Sequence, residues 1–242
     1  ENISRIIDLV ISEDKNNDIL VVDDNSPDGT SSIVSQKELT FKNRVFLIKR
    51  LDKKGLGTAY IEGFRWALKR KYDFIVSMDA DFSHNPSELT KMIKYFSNGV
   101  DVVVGSRYLN GVSVVNWPIG RIFLSYIAQI YVRLITRMPI NDPTSGFVAY
   151  SKESVNALNL DKFKFIGYAF QIEMKYKIWK KKFKLKEHQI IFMNRELGES
   201  KLDKKIILEA KKIGVNIIKF QFYRTEKLIL PNTPMAKYQA NN

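Results

Sequence analysis

Two acidic clusters hold the chemistry most directly open to this chain. The first is Asp23-Asp24-Asn25-Ser26-Pro27-Asp28-Gly29-Thr30, and the second is Asp79-Ala80-Asp81. Each follows a short apolar run, Ile19–Val22 and Phe74–Met78. In open α/β sheets, ligands bind beyond the carboxyl ends of the strands. Carboxylates two residues apart on an extended segment point to one side. Asp79 and Asp81 can therefore share a hard divalent cation, leaving positions for water and phosphate oxygens. Helix capping is the competing account. Ser26, Asp28 or Thr30 could cap the helix that starts near Thr30, and Asn85 the helix after Pro86. Capping covers Asp28 but leaves Asp23, Asp24, Asp79 and Asp81 without a role. A paired acid at a strand end also marks phospho-acceptor receiver domains, so one cluster alone is unspecific. Two clusters in succession are far more restrictive.

A third segment, Lys53-Lys54-Gly55-Leu56-Gly57-Thr58-Ala59, opens a helical stretch. Its glycines let the backbone approach a ligand, and a helix N-terminus favours an anion. It reads equally well as a tight turn. It is not a P-loop, because no Gly-Lys-Ser/Thr follows. It is not a dinucleotide fingerprint, because Tyr60 stands where a third glycine or alanine belongs.

The elements that must position these clusters alternate. Apolar runs at Ile19–Asp23, Val45–Ile48, Phe74–Met78 and Val102–Gly105 have the character of strands buried on both faces. Helical stretches near Thr30–Lys37, Thr58–Lys71 and Pro86–Ser97 separate them. Such spacing predicts βαβ units and an α/β fold with a mostly parallel central sheet. Downstream, Arg121–Arg137, Tyr168–Lys182 and Asp203–Phe222 read as helices, and Phe147–Ser151 and Gln189–Met193 as strands. No Pro/Gly/Ser-rich linker divides the chain, so residues 1–242 are expected to form a single domain with two functional sides, 1–120 and 121–242. The pattern Ile3, Ile6, Ile7, Val10, Ile11 is already helical at the start, and the chain is expected to open inside a helix.

Composition narrows the chemistry. There is no cysteine, and His84 and His188 are the only histidines among 242 residues. Disulfides, thiol catalysis and zinc or iron–sulfur sites built on cysteine are excluded, as is a multi-histidine metal site. The net charge is +13, and it is uneven. Residues 1–121 carry 17 Lys+Arg against 16 Asp+Glu, whereas residues 122–242 carry 22 against 10. The basic half suits nucleic acid, an acidic membrane surface or a phosphorylated substrate, or is a solvated lysine-rich surface. Nucleic acid would account for the charge but not for paired carboxylates beyond two strands. No window reaches the roughly 20 uncharged apolar residues of a spanning helix.

The motifs occur in a telling order: Asp-Asp-Asn-Ser-Pro-Asp-Gly-Thr, Lys-x-Gly-Leu-Gly-Thr-Ala-Tyr, Asp-Ala-Asp-x-Ser-His-x-Pro, Gly105-Ser-Arg107-Tyr108, Asp142-Pro-x-Ser145-Gly-Phe147, Gly167-Tyr-x-Phe-Gln171-x-Glu173 and Arg195-x-x-Gly-x-Ser200-Lys201. The series resembles that of the dolichol-phosphate (polyprenol-phosphate) mannose synthases, among the family 2 glycosyltransferases of GT-A fold, over roughly residues 1–205. The resemblance implies a Rossmann-like nucleotide half and a metal-dependent, inverting transfer of a hexose, most simply mannose from GDP-mannose, to a polyprenyl (dolichyl) phosphate. It implies that Asp23, Asp24, Lys54, Gly55, Gly57 and Asp79 serve the donor, with Gln171 and Glu173 near the sugar. Asp79 and Asp81 would hold Mg²⁺ or Mn²⁺. Ser83 stands where some relatives have a glutamine ligand and would be a weaker one. Arg107, Arg121, Arg195 and Lys201 would meet the acceptor phosphate and the donor diphosphate. For His84 a packing or capping role stands as the alternative to a catalytic one. The family's opening apolar strand and Pro-x-Tyr-Asn-Glu loop are absent from this sequence, so a sheet one strand short is expected. The implied partners are the nucleotide sugar, the polyprenyl phosphate, an anionic membrane surface and a small membrane-anchor subunit, with no nucleic acid. The implied location is peripheral, at a cytoplasmic membrane face. A related transferase using UDP-glucose or another nucleotide sugar is the nearest rival. A non-catalytic homologue that binds nucleotide or membrane is the rival of another class.

Two segments of the basic half bear on that surface. Arg121, Ser125, Gln129, Arg133 and Arg137 form an i, i+4 series on an otherwise apolar helix, which is either an ordinary core helix or an interfacial one. Residues 203–222 read as a basic amphipathic helix. Lys175, Lys177, Lys180, Lys181, Lys182, Lys184 and Lys186, with Trp179, read as a second basic face.

Overall fold

The first helix shows how the two parts of the fold are joined. In the computed structural model, which describes residues 2–52 and 54–194, α1 spans Ile3–Glu13. Its apolar positions fall on two adjoining stripes. Ile6 and Val10 pack with Leu89, Met92, Val103, Phe147 and Ala149, while Ile3, Ile7 and Ile11 pack with Val34 and Val45. The second of these clusters lies on a parallel pair, β1 (Ile19–Asp23) and β2 (Val45–Lys49), connected through α2 (Thr30–Thr40). The first lies on a four-stranded sheet.

That sheet has the order β3-β6-β4-β7, with β3 at Phe74–Ser77, β4 at Val102–Ser106, β6 at Val148–Ser151 and β7 at Leu185–Gln189. A short third sheet pairs β5 (Val114–Val115) with β8 (Phe192–Met193) in parallel. The pairings are parallel except those made by β6, which runs antiparallel between β3 and β4. This insertion decides the site. Because β6 is reversed, the turn that enters it lies beside the carboxyl ends of β3 and β4, with Ser77 opposite Val148 and Val104 opposite Val148 on the other side. Among the described residues, β1 pairs only with β2 and β3 only with β6.

α3 (Leu56–Lys69) and α7 (Ala169–Lys180) cover one face of the four-stranded sheet. Their side chains Phe64, Phe170, Ile172, Met174 and Ile178 pack with Val102, Val104, Val148 and Tyr150. Each such aliphatic or aromatic side chain contributes about 1.5–3 kcal/mol when fully buried. α5 (Ile119–Thr136) and α6 (Lys152–Asn156) complete the helices.

Three boundaries differ from expectation. The stretch from Pro86 becomes a turn, then α4 (Glu88–Ile93), then a 3-10 segment, Lys94–Asn98. Asn85 accepts the Ser87 N–H at 3.0 Å, closing a turn ahead of the helix. β7 is the strand whose pattern was missed: Leu-Lys-Glu-His-Gln looks polar, yet it pairs along all of β4 and buries Glu187. The strand expected at Gln189–Met193 is the end of β7 followed by β8. The helix expected over 203–222 lies outside the described residues.

Candidate active site

The first acidic turn is held by its own carboxylates. Asp23 ends β1 and is buried; it accepts the Ser26 N–H at 3.3 Å and the Ser31 hydroxyl. Asp28 accepts the Thr30 N–H at 3.2 Å and its hydroxyl at 2.7 Å, and the Thr30 hydroxyl first, then its N–H, holds this exposed carboxyl below its ordinary value. Asp28 therefore closes a turn ahead of α2 and does not cap it: the N-cap position is Gly29, without a side-chain cap, so the capping expected of Ser26, Asp28 or Thr30 is not found. Asp24 has a partner that the sequence did not reveal. The parallel register sets Asp23 opposite Lys49, so the next residues, Asp24 and Arg50, meet beyond the sheet edge. Arg50 is buried, donates from Nε to Asp24 at 2.5 Å and from Nη1 to the Thr58 hydroxyl at 2.7 Å. One guanidinium thus ties the first acidic turn to the start of α3.

A cleft of about 290 Å³ lies against this turn. Asp23, Ser26 and Asp28 line it on one side, Asn2 and Ile3 at the start of α1 on another, and Ala80 on a third. The first acidic turn and Ala80, the middle residue of the second, therefore share this cleft.

The second cluster is a tight turn off β3. Asp81 accepts the Ser83 N–H at 3.0 Å and the Ser83 hydroxyl at 2.5 Å. Ser83, fully buried, thus stands as a prop for Asp81. Phe82 between them has φ +60°, the left-handed region in which a bulky residue is strained. The Arg5 guanidinium lies 5.0 Å from its ring. His84 is buried, stacked on Phe147, and its Nδ1 accepts the Asp79 N–H at 3.3 Å. That bond assigns the ring proton to Nε2. Burial lowers the His84 pKa despite the opposing charges of Asp79 and Asp81, so the ring is neutral at pH 7 and positions Asp79 through the backbone.

Behind this turn lies a buried charged centre. Arg107, just past β4, forks onto Asp142 at 2.6 and 2.7 Å and donates to the Thr144 hydroxyl at 2.9 Å. Burial lowers the Arg107 pKa, but the charge and hydrogen bonds of Asp142 outweigh it and leave it raised; the same pair holds Asp142 below the ordinary carboxylate value against its own burial. Glu187 accepts the Asp142 N–H at 2.9 Å and an Asn141 amide hydrogen at 2.8 Å. Arg107 was expected to meet phosphate. Its fork is instead engaged with Asp142, where it fixes the turn leading into β6. The Tyr60 hydroxyl was not among the expected residues. Tyr60 is partly buried close to Asp79, and desolvation first, then that charge, raises its pKa well above the ordinary value.

The glycine segment proves to approach the chain itself. Gly55, at φ +96°, leaves room for the Ile166 carbonyl, which a Cβ would meet at 2.9 Å. Gly57 donates to that carbonyl at 2.8 Å, and a Cβ there would stand 2.9 Å from the Phe165 carbonyl. Glu173 supports the same contact from behind, accepting the N–H groups of Lys164 and Phe165 at 2.9 and 3.1 Å and pairing with Lys177 at 2.7 Å. Glu173 and buried Gln171 belong to the scaffold under this loop, and Lys54 is exposed beside it. Gly57→Ala is expected to destabilise the fold by about 1–3 kcal/mol, since backbone must move to admit the methyl. A denaturant midpoint equal to wild type would remove this explanation.

Arg121 stacks on Trp117 at 3.8 Å and donates to Asn194 at 3.3 Å. Arg195 and Lys201 lie outside the described residues, as does residue 53. Lys175 does not belong to an outward basic face: it is fully buried.

For a metal, the donor set is Asp79 and Asp81. Among the described residues no group of three His, Asp or Glu side chains gathers into a cage. Two carboxylates at a sheet edge suit Mg²⁺ or Mn²⁺, which take one or two carboxylates and complete an octahedron with water and substrate phosphates. They do not suit a closed structural site.

Acidic turns beyond the carboxyl ends of β1 and β3, in a mixed α/β architecture with β6 reversed between its neighbours, define the class as an α/β fold of GT-A type. Solved structures agree on the fold: glucosyl-3-phosphoglycerate synthase from Mycobacterium tuberculosis, in complex with phosphoglyceric acid, superposes with a TM-score of 0.62 at 16% identity, over 88% of this chain and 75% of that one. The family model for glycosyl transferase family 2 matches residues 1–158, and the chain belongs to that family. It is 40% identical over 210 residues to polyprenol monophosphomannose synthase of Mycolicibacterium smegmatis, covering 87% of this chain and 79% of that protein. It is 40% identical over 193 residues to undecaprenyl-phosphate mannosyltransferase of Micrococcus luteus, with 80% and 79% covered. It is 39% identical to dolichol-phosphate mannosyltransferase of Pyrococcus furiosus, over 85% of this chain and 56% of that one.

Proposed function

We propose that this family 2 glycosyltransferase moves mannose from GDP-mannose to a polyprenyl monophosphate, with inversion at the anomeric carbon. The observation that carries the reading is the cleft lined by both Asp23 and Ala80, the residue between Asp79 and Asp81. The names of the relatives at 40% identity supply the sugar and the lipid class. Asp23 and Asp24 serve the nucleoside. Asp79 and Asp81 hold Mg²⁺ or Mn²⁺, which when bound neutralises charge developing on the departing diphosphate. The acceptor needs no strong general base: a lipid monophosphate, with a second pKa of about 6, is largely dianionic at pH 7. One phosphate oxygen attacks the anomeric carbon as its bond to the diphosphate breaks. Direct displacement from an α-linked donor yields a β-linked product. His84 acts by holding the Asp79 backbone, and the Arg107–Asp142 pair by fixing the turn into β6. Arg121, Arg195 and Lys201 are assigned to phosphate. A panel of labelled nucleotide sugars with a polyprenyl phosphate tests the reading. Mannolipid from GDP-mannose is expected. Transfer only from UDP-glucose would replace the donor, and nucleotide binding without transfer from any donor would overturn the assignment as an enzyme.

We further propose that the protein works at a membrane surface, at the cytoplasmic face. α5 is 18 residues long and 28% buried, and it is turned against the usual pattern. Its polar side chains Ser125 and Gln129 are buried: Ser125 accepts from the Tyr108 hydroxyl and Gln129 donates to the Thr144 hydroxyl. Tyr131 and Val132 pack into the core, but one apolar side faces out: Ile119 is 85% exposed, Phe123 66% and Leu134 73%, with Ile127 and Ile130 between them. A water-facing helix buries its apolar stripe, so this stripe suits hydrocarbon. Exposed Arg133 and Arg137 near its end suit anionic headgroups. Phe123→Ser with Leu134→Ser is expected to weaken binding to phosphatidylglycerol-containing vesicles by more than about tenfold, because each large apolar side chain contributes about 1.5–3 kcal/mol on burial. Unchanged sedimentation with the vesicles would exclude α5 as the contact.

A further inference from the structure

Lys175 is an expensive residue in an unexpected place. It lies on α7 with its side chain fully buried. Its Nζ donates to the Ser145 carbonyl at 2.7 Å and the Gln171 carbonyl at 3.0 Å, with the Gln171 side-chain oxygen at 3.5 Å. Two charges act on it: Asp142, from the turn before β6, and Arg107, from the end of β4. Burial pulls its pKa down to about 7, against the favourable charge of Asp142 and with the repulsion of Arg107. A buried ammonium costs stability unless its hydrogen bonds return it. Methionine or leucine would fill the same space without that cost. Stability alone therefore does not explain an amine at this position.

What the amine holds is the peptide next to the acidic site. The turn Ser145-Gly146 is tied on three sides. The Ser145 hydroxyl donates to the Gly105 carbonyl at 2.7 Å, the Ser145 carbonyl accepts from Lys175, and the Gly146 carbonyl accepts from the Ser77 hydroxyl at 2.7 Å. Gly146 in turn faces the Asp79 carboxylate across the width of one methyl group: a Cβ added to Gly146 would stand 3.6 and 3.8 Å from its two oxygens and 3.5 Å from the Tyr60 hydroxyl. The Ser77 hydroxyl that donates to the Gly146 carbonyl belongs to the end of β3, from which the chain runs directly into Asp79. A shift of the Ser145 carbonyl therefore reaches Asp79 through Gly146 and its bond to Ser77.

We infer that Lys175 is a positioning residue for the transferase: by holding the Ser145 carbonyl it sets Gly146 against Asp79 and so fixes how that carboxylate meets the cation and diphosphate. The inference rests on the reading of Asp79 and Asp81 as cation ligands. The ammonium form has three N–H donors for three oxygen acceptors; the neutral amine has two. Support of this kind, one step removed from the ligands, commonly changes metal affinity by about 10–100-fold when it is removed.

The test compares the full-length protein with Lys175→Met and Asp79→Asn, measuring free Mn²⁺ by electron paramagnetic resonance in the presence of GDP, and thermal unfolding at pH 7. Lys175→Met is expected to weaken Mn²⁺ affinity by about tenfold or more, read at a temperature where its unfolding curve shows the variant fully folded, since it also takes a donor from the buried Ser145 carbonyl. A merely structural lysine would lower the unfolding temperature and leave Mn²⁺ affinity alone, and that result overturns the inference. If Asp79→Asn weakens Mn²⁺ binding while Lys175→Met stays within about twofold of wild type, well short of such an effect, the role given to Lys175 is wrong and the cation site stands. If Asp79→Asn itself leaves Mn²⁺ affinity unchanged, the cation site has failed and the inference falls with it. Should Lys175→Met not fold, Ser77→Ala cuts the neighbouring tie to Gly146 by removing one hydroxyl. A loss of Mn²⁺ affinity is then expected, and affinity equal to wild type overturns the positioning of Asp79 through Gly146.

Discussion

Asp81→Asn is expected to lower mannosyl transfer by at least about 100-fold, the scale on which loss of a major electrostatic contribution acts. The substitution is close to isosteric. Asn retains an oxygen able to accept the Ser83 N–H and hydroxyl, the bonds that hold Asp81 in its turn. The fold should therefore survive, and the loss should fall on turnover with little change in unfolding temperature. Chelator should reproduce the loss in the wild-type protein, and added Mn²⁺ or Mg²⁺ should reverse it. Full turnover in chelator-treated protein would end the metal-dependent mechanism. A matching fall in stability and activity would instead make Asp81 a turn former whose carboxylate has no separate task.

The second large effect is on stability. Asp142→Ala should destabilise the protein by about 3–5 kcal/mol, because it leaves the Arg107 guanidinium buried without its partner. Both side chains are buried and their hydrogen bonds are bidentate. Replacing both, as in Arg107→Met with Asp142→Leu, should recover much of that loss, since no charge is then stranded. The pH dependence follows from the sign of the shift. The folded-state pKa of Asp142 lies below its ordinary value of 3.8. Its contribution is therefore complete above about pH 4 and disappears as pH falls through the lower, folded-state value. Equilibrium denaturation of the single and double variants measures all of this. A cost below about 1 kcal/mol for Asp142→Ala, the size of a surface pair, would mean that the pair is hydrated in solution.

Much of the site was readable because its signals are local. An apolar run followed at once by acids places those acids at a strand end, whatever the rest of the chain does. Asp23, Asp24, Asp79 and Asp81 are found there. Other roles could not be read because they depend on which strands are neighbours. Arg50 meets Asp24 only through the parallel register of β1 and β2. Arg107 resembled a phosphate ligand in the sequence, yet β6 brings Asp142 to it across 35 residues. Gly55 and Gly57 were consistent with a ligand loop, and it is the Ile166 carbonyl that occupies the space they leave. Lys175 sits among lysines in the sequence, and nothing in that composition distinguishes it from its exposed neighbours.

The sequence by itself determined the α/β class, the acidic strand ends, the absence of thiol and multi-histidine chemistry, and an ordered motif series specific enough to indicate a family. These are properties of residue type and short-range spacing, which the backbone's few allowed conformations convert directly into local structure. Tertiary structure alone decided the reversed strand β6, the buried Arg107–Asp142 pair, the inward turn of Lys175 and the outward turn of the apolar side of α5. Each depends on the free energy of burying particular surfaces against distant ones. A charge becomes structural only where a partner offsets its desolvation, and an apolar helix face is exposed only where polar partners such as Tyr108 and Thr144 claim the inner side. Such partners are chosen by strand order and register, which no spacing along the chain encodes.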